Sequence, residues 1–205
     1  MQFLIPVLVG LLVLPASVIS PRSAETAYAQ TVATSTIAAP STIAFASTNG
    51  ATPASLTVKL TAYNAVPEQT DNNPFTTASG AFSNPEVVAA RSGDLASKLP
   101  YGTVIAITRE GADTPSCNYS PVESQIGYRV IADAMNPRIS NTVDVLLDQN
   151  NKVQVGARMY NPGIALGKCG EVSIRVIGKM AVKDIPATQA ELAAMIDGPA
   201  ILAQR

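Results

Sequence analysis

Residues 56–63, Leu-Thr-Val-Lys-Leu-Thr-Ala-Tyr, alternate between apolar and polar with period two, the pattern of a strand with one buried face. Five further short runs follow: Glu86–Arg91, Gly102–Thr108, Gly127–Asp133, Thr142–Asp148 and Glu171–Gly178. Each is β-branched or apolar and is bounded by Gly, Pro, Asn or Asp, which punctuate strands by favouring turns. Six candidate strands with no strong amphipathic helix between them predict a small all-β domain over residues 56–180. The stretch between Lys152 and Cys169 is long for a simple connection. Beyond the strands, Pro186–Ile196 has a helical pattern, and Gly198-Pro199 is expected to end it. That C-terminal tail, residues 181–205, carries no evident chemistry.

The pattern before residue 56 is different. Phe3–Ile19 is an apolar run interrupted by Pro6, Gly10 and Pro15, and Ala27-Tyr28-Ala29 is a small-x-small cleavage site. Residues 1–29 therefore read as a signal peptide, with Gln30 as the new N-terminus. The competing reading is an uncleaved anchor, for which the run is short and broken by proline. Residues 30–55 contain no charged side chain and are rich in Ala, Thr and Ser, the composition of a linker. No later apolar run is long enough to span a bilayer, so the remainder is expected outside the cytoplasm.

Composition narrows the chemistry. With 14 Lys+Arg against 15 Asp+Glu, the chain has a net charge of −1 and no basic stripe for nucleic acid. It has no histidine, which removes Ser-His-Asp and Cys-His catalysis and histidine metal ligation together. Acid–base work falls to Asp, Glu, Lys, Tyr or Cys. No metal or cofactor is expected, and a monomer is. Cys117 and Cys169 are the only cysteines. An even count in an exported chain favours a disulfide, two unpaired thiols being the other reading.

Three groups of residues stand out. The first is Thr61-Ala-Tyr63 followed by Asp71 and the Thr77-Ala-Ser-Gly80 turn. The second is Pro100-Tyr-Gly-Thr103 leading into a strand. The third is Asp133 at the end of one strand and Asp144 inside the next, joined by Ala-Met-Asn-Pro-Arg-Ile-Ser-Asn. In this order they resemble the three-aspartate (3D) domain, a family similar to the catalytic barrel of membrane-bound lytic transglycosylase A and to stationary-phase survival proteins of bacteria. The resemblance covers residues 56–180, with Asp71, Asp133 and Asp144 at the three aspartate positions. It departs after Asp133, where many members have a glycine-rich loop. It implies a six-stranded double-psi β-barrel in a bacterial cell envelope, acting on peptidoglycan glycan without a cofactor. It implies Asp144 as acid/base, with Asp133 and Asp71 tuning it.

The residues argue separately for part of this. An ionised Asp144 between Val143 and Val145 is costly unless hydrogen-bonded or facing a cleft. Two carboxylates on adjacent strands cannot both ionise freely, and a raised pKa makes a carboxyl a usable acid for glycosidic cleavage. Equally, Asp144 on the solvent face of its strand and Asp133 capping a turn satisfy the same pattern. Tyr63 is placed either against a sugar ring or in the core. Thr77 and Ser79 either hold sugar hydroxyls or close a turn at Gly80. Arg138 either engages a muropeptide carboxylate or is a solvated loop charge. Three function classes remain at this point: a lytic transglycosylase-like glycosidase, a non-catalytic peptidoglycan-binding barrel, and an envelope scaffold in which the Ala/Thr/Ser linker and the tail matter most.

Overall fold

A computed structural model describes residues 43–45, 55–70 and 73–202. The expected signal peptide and its cleavage site, most of the linker, and Asp71 lie outside the described residues. Among these residues nine strands are present: β1 Ala44–Phe45, β2 Ser55–Tyr63, β3 Val88–Arg91, β4 Thr103–Thr108, β5 Tyr128–Ala134, β6 Thr142–Leu146, β7 Val153–Val155, β8 Arg158–Tyr160 and β9 Cys169–Lys179. The helices are α1 Glu123–Ile126, α2 Pro162–Leu166 and α3 Gln189–Leu202. All six expected strands form, as β2, β3, β4, β5, β6 and β9, each ending within two residues of its expected bounds.

Those six strands close on themselves in the order β9-β2-β6-β3-β5-β4, with β4 returning to β9. The pairs β2–β6 and β3–β5 are parallel, and the other four are antiparallel. The molecule is thus a closed six-stranded mixed β-barrel, the strand count and closure that the resemblance requires. Closure leaves no free edge among these strands, which removes the usual template for aggregation. The eleven-residue β9 is long enough to pair with β2 on one side and β4 on the other.

Alternation sorts the side chains onto two apolar clusters. Val58 and Leu60 of β2 join Ile105, Ile131, Val143, Val145 and Ile174 in the larger one. Val88, Val104, Val130 and Leu146 form the second with Ile177, Leu192 and Ile196. The turn into β4 depends on Gly102, whose φ of +85° and approach to Met180 leave no room for a side chain: a Cβ there would lie 2.1 Å from the Met180 carbonyl oxygen.

Four features depart from the expected pattern or add to it. The linker over 30–55 contains a packed piece: Ile43 is 3 % exposed, and Ala44 and Phe45 pair with Lys179 and Gly178. They take the edge of β9 that β2, whose pairing ends at Ser55–Arg175, leaves open. Second, residues 152–169 form the β7–β8 hairpin and α2. Asn161 caps α2 by accepting from Gly163 N and Ile164 N. Third, α3 begins at Gln189, three residues later than expected. Thr188 and Glu191 cap it reciprocally, with Glu191 N donating to Thr188 Oγ1 and Thr188 N donating to Glu191 Oε2. Fourth, α3 runs through Gly198-Pro199 to Leu202, although an interior proline removes a ladder hydrogen bond and crowds the carbonyl four residues earlier.

The largest fully buried side chain among the described residues is Arg129 on β5, at 0 % exposure. Its guanidinium donates to the carbonyls of Gln125, Ile126, Pro85, Val88 and Leu146. One side chain therefore ties α1 to β3 and β6. Burial pulls its pKa down to about 9, which leaves it a cation at neutral pH. Sequence periodicity gives no sign of this role, since the residue reads as one polar position in a strand.

Candidate functional site

The two described aspartates are brought together through β3. In the β3–β6 pairing Ala90 opposes Asp144, and in the β3–β5 pairing Ala90 opposes Asp133. On the far side of β6, Asp144 opposes Thr61 of β2. Directly opposed residues on neighbouring strands project from the same face. The result is one transverse row, Thr61–Asp144–Ala90–Asp133, on four adjacent strands. Val143 and Val145 point the other way into the larger apolar cluster, so alternation turns Asp144 toward this row.

Asp133 reaches the row through an irregularity. Ala89 pairs with Ile131, but Ala90 pairs with Asp133, so Ala132 is an extra residue on β5. In a regular strand Asp133 would share a face with Arg129 and Ile131. The bulge at Ala132 re-aims it, a use of bulges common beside functional sites. The Thr77-Ala-Ser-Gly80 turn is pinned to this bulge, with Ser79 N donating to Ala132 O at 3.2 Å.

Three donors converge on the Asp133 carboxylate. Ala78 N and Ala134 N donate to Oδ1 at 2.8 and 2.9 Å, and the Tyr63 hydroxyl donates to Oδ2 at 2.8 Å. Asp144 has a thinner shell, in which the Thr61 hydroxyl donates to Oδ1 at 2.6 Å. Burial raises the Asp144 pKa to about 6, the Thr61 hydrogen bond partly opposes the shift, and the Asp133 charge adds to it. Burial, with the neighbouring Asp133 carboxylate, also pushes the Tyr63 phenol far above its ordinary range. Tyr63 is therefore a donor that does not itself ionise. A fixed carboxylate beside a protonatable one is the arrangement in which two acids take different roles.

The row lines a cleft of ≈ 1060 Å³, just above the usual range for ligand pockets. The loop 135–141 forms part of its wall as it steps over the end of β3 from β5 to β6. Met135 N donates to Arg91 O, and Thr142 N donates to Ser92 Oγ, fixing both ends of that loop. Arg138 lies on it and lines the cleft, its N–H held by the Asn136 side chain at 3.0 Å.

Of the expected site residues, Asp133, Asp144, Tyr63 and Arg138 line this cleft together. Tyr63 enters as a hydrogen-bond donor to Asp133 while its ring packs against the second apolar cluster. Thr77 and Ser79 are not among the lining residues. Their hydroxyls bond each other at 3.1 Å, and Thr77 Oγ1 accepts from Ala81 N, so they shape the turn. What that turn presents to the site is the backbone N–H of Ala78, which no side-chain pattern announces. Thr61 stood in the Thr-Ala-Tyr motif without a role of its own, and Ala90 was missed altogether. Ala90 is a small residue in an apolar run, and only the strand order shows that it separates the two acids. Among the described residues no cluster of three or more His, Cys, Asp or Glu is placed to hold a metal.

Cys117 and Cys169 form a disulfide with a Cα–Cα distance of 4.8 Å. Cys169 begins β9, pairs with Leu60 and lines the cleft. The bridge therefore anchors the 109–122 segment beside the site. No helix among the described residues is long and apolar enough to cross a membrane.

Barrel and site together define a closed mixed barrel with a paired-carboxylate cleft. No family model, curated protein or solved structure matches the chain.

Proposed function

We propose that the protein is an exported bacterial cell-wall enzyme that cleaves the bond between N-acetylmuramic acid and N-acetylglucosamine in peptidoglycan, as a lytic transglycosylase. The observation that carries this reading is the row itself: a half-buried Asp144 with a pKa near 6 sits across Ala90 from a hydrogen-bonded Asp133. The resemblance in the Thr-Ala-Tyr, Thr-Ala-Ser-Gly and paired-Asp motifs supplies the substrate. The disulfide and the N-terminal apolar run support an oxidising, extracytoplasmic location.

In this mechanism protonated Asp144 donates its proton to the glycosidic oxygen. The C1–O bond breaks, and positive charge develops on the muramoyl ring. The Asp133 carboxylate stabilises that charge without moving, because three donors hold it. The Asp144 carboxylate then accepts the proton of the muramoyl 6-hydroxyl, whose oxygen closes on C1 to give a 1,6-anhydro ring. Asp144 ends as it began, and no water or cofactor is consumed. The resemblance gives Asp71 a positioning part.

The test is mass spectrometry of products from purified peptidoglycan. Wild type should release anhydromuropeptides, and Asp144→Asn should release none while remaining folded. Release by the variant at the wild-type rate would remove Asp144 as the acid. If wild type binds sacculi without releasing product, the barrel is a non-catalytic glycan-binding module.

A further inference from the structure

Apart from Asp133 and Asp144, every charged residue lining the cleft among the described residues is a cation: Lys59, Arg138 and Lys168. This is notable in a chain whose acids slightly outnumber its bases, at 15 to 14. The three come from separate segments. Lys59 is on β2, Arg138 is on the loop between β5 and β6, and Lys168 precedes β9. All three are exposed. Among the described residues, the one ion pair within 4.0 Å is Arg109–Asp113, away from this wall.

The backbone beneath each cation is fixed. Lys59 N donates to Asn141 O, and its residue pairs with Thr142. Arg138 follows Pro137 and is held through Asn136. Lys168 N donates to Ser116 O and adjoins the disulfide at Cys169. On β2, Lys59, Thr61 and Tyr63 alternate onto one side, which also carries the partners of the two acids: Thr61 bonds Asp144 and Tyr63 bonds Asp133. Two residues along a strand span about 7 Å. The Lys59 position is thus displaced by roughly one sugar ring from the position at which Asp144 would act.

We infer that Lys59, Arg138 and Lys168 form a rim that reads carboxylates on the glycan, so that the cleft selects acidic, muramoyl-type chains over neutral amino-sugar chains. The inference rests on the peptidoglycan reading above and specifies which part of that polymer is recognised. A glycan of alternating muramoyl units presents carboxylates beside the backbone at every second sugar. They are either free on the lactyl ether or carried by the peptide stem. A polymer of N-acetylglucosamine presents none. Exposed ion pairs are individually weak and salt-sensitive, so three act as a filter on substrate and leave the chemistry to the acid row. Loss of the rim should therefore raise KM and leave kcat nearly unchanged, the signature of lost uniform binding.

The experiment measures binding of the Asp144→Asn protein, which leaves the polymer intact. Three probes are used: peptidoglycan with its stems, amidase-stripped glycan with free lactyl carboxylates, and chitin oligosaccharide. Stem-bearing peptidoglycan should bind about tenfold more tightly than chitin oligosaccharide at low salt, the order expected of three exposed ion pairs together. Adding Lys59→Gln, Arg138→Gln and Lys168→Gln should abolish that preference, so that peptidoglycan and chitin oligosaccharide bind alike. Lys59→Arg with Lys168→Arg should keep the preference. Tight binding of the stripped glycan assigns the contact to the lactyl carboxylate, and weak binding assigns it to the stem; either supports the rim. Equal affinity for all three probes, or no effect of the Gln substitutions, would overturn the rim and leave the glycan reading standing. Failure to bind any probe would overturn both.

Discussion

Asp133 and Asp144 never pair with each other, yet both are in register with Ala90, one from each side of β3. Their backbones are thus held two strand spacings apart, roughly 10 Å, with only a methyl group between them. That gap sets what can lie between the two carboxylates. It also explains why Asp144 senses the Asp133 charge without a hydrogen bond joining them. One acid is fully served by donors and the other is left protonatable.

The first prediction concerns pH. The Asp144 pKa is raised from 3.8 to about 6 in the folded chain. A raised carboxyl pKa means that the folded state holds a proton the unfolded state has released. Its stabilising contribution is therefore complete below about pH 4 and is lost as pH rises through 6. Because part of the carboxyl meets solvent, the loss should be on the order of 2 kcal/mol. Asp144→Asn lacks this titration, so its stability relative to wild type should rise by that amount between pH 4 and pH 8. Urea titrations at the two pH values give the comparison, and a constant difference would contradict the assignment. Transglycosylase kcat/KM should likewise fall about tenfold per pH unit above 6, where the acid is ionised.

A second prediction separates positioning from acid catalysis. Tyr63→Phe removes one of three donors to Asp133 but leaves Ala78 N and Ala134 N in place on Oδ1. The fold should lose about 1 kcal/mol, the usual net worth of one hydrogen bond. Activity should drop about tenfold to a hundredfold while its pH midpoint stays near that of wild type, because Asp144 keeps its Thr61 contact. Asp133→Asn should also fold. Its amide oxygen can accept both backbone N–H groups, and its amide nitrogen can donate to the Tyr63 oxygen. Thermal melts and pH–rate profiles of both variants check this, and a midpoint displaced by more than one unit in Tyr63→Phe would count against it.

The strands were legible in two ways: β2 buries one face, which writes period two into the sequence, and β3, β4 and β5 bury both faces, which writes short apolar runs. Leu56–Tyr63 shows the alternation most plainly, while Thr142–Leu146 is buried on both faces except at Asp144. Asp144 was legible through alternation: valines on both sides can point inward only if the aspartate points away. Asp133 was legible only through the motif resemblance, because its orientation depends on the bulge at Ala132, and an inserted residue leaves no trace in an apolar run. Arg129 and Ala90 were not legible at all. Their roles come from which strands lie beside β5 and β3, and strand order is set by long-range closure that local pattern does not encode. Ile43–Phe45 were hidden for a related reason, since their partner strand lies more than 130 residues later.

The disulfide gives a third prediction. Cys117 and Cys169 are 52 residues apart, and closing a loop of that size should contribute ~4 kcal/mol through the unfolded chain. Dithiothreitol should therefore lower the denaturation midpoint substantially, and the Cys117→Ala, Cys169→Ala double variant should match the reduced wild type. Thiol titration of unreduced, denatured protein should find none. Two free thiols, or a midpoint unmoved by reductant, would rule out the bridge as a stabilising element.

Arg129 supports the last prediction. Replacing a buried charge pair with apolar residues is often nearly neutral, because both desolvated partners leave together. Arg129 differs in that its partners are the backbone carbonyls of Gln125, Ile126, Pro85, Val88 and Leu146, which no side-chain substitution removes. Arg129→Met should keep most of the packing volume and still cost at least about 3 kcal/mol, since several buried acceptors lose their donor at once. Arg129→Lys keeps the charge but replaces a rigid five-donor fork with three donors on a shorter reach, so it should recover only part of the loss. The expected order of stability is therefore wild type, then Lys, then Met. Equilibrium urea unfolding at neutral pH reads this order directly. A Met variant within about 1 kcal/mol of wild type would show that the carbonyls find other donors and that Arg129 does not hold α1 to the barrel.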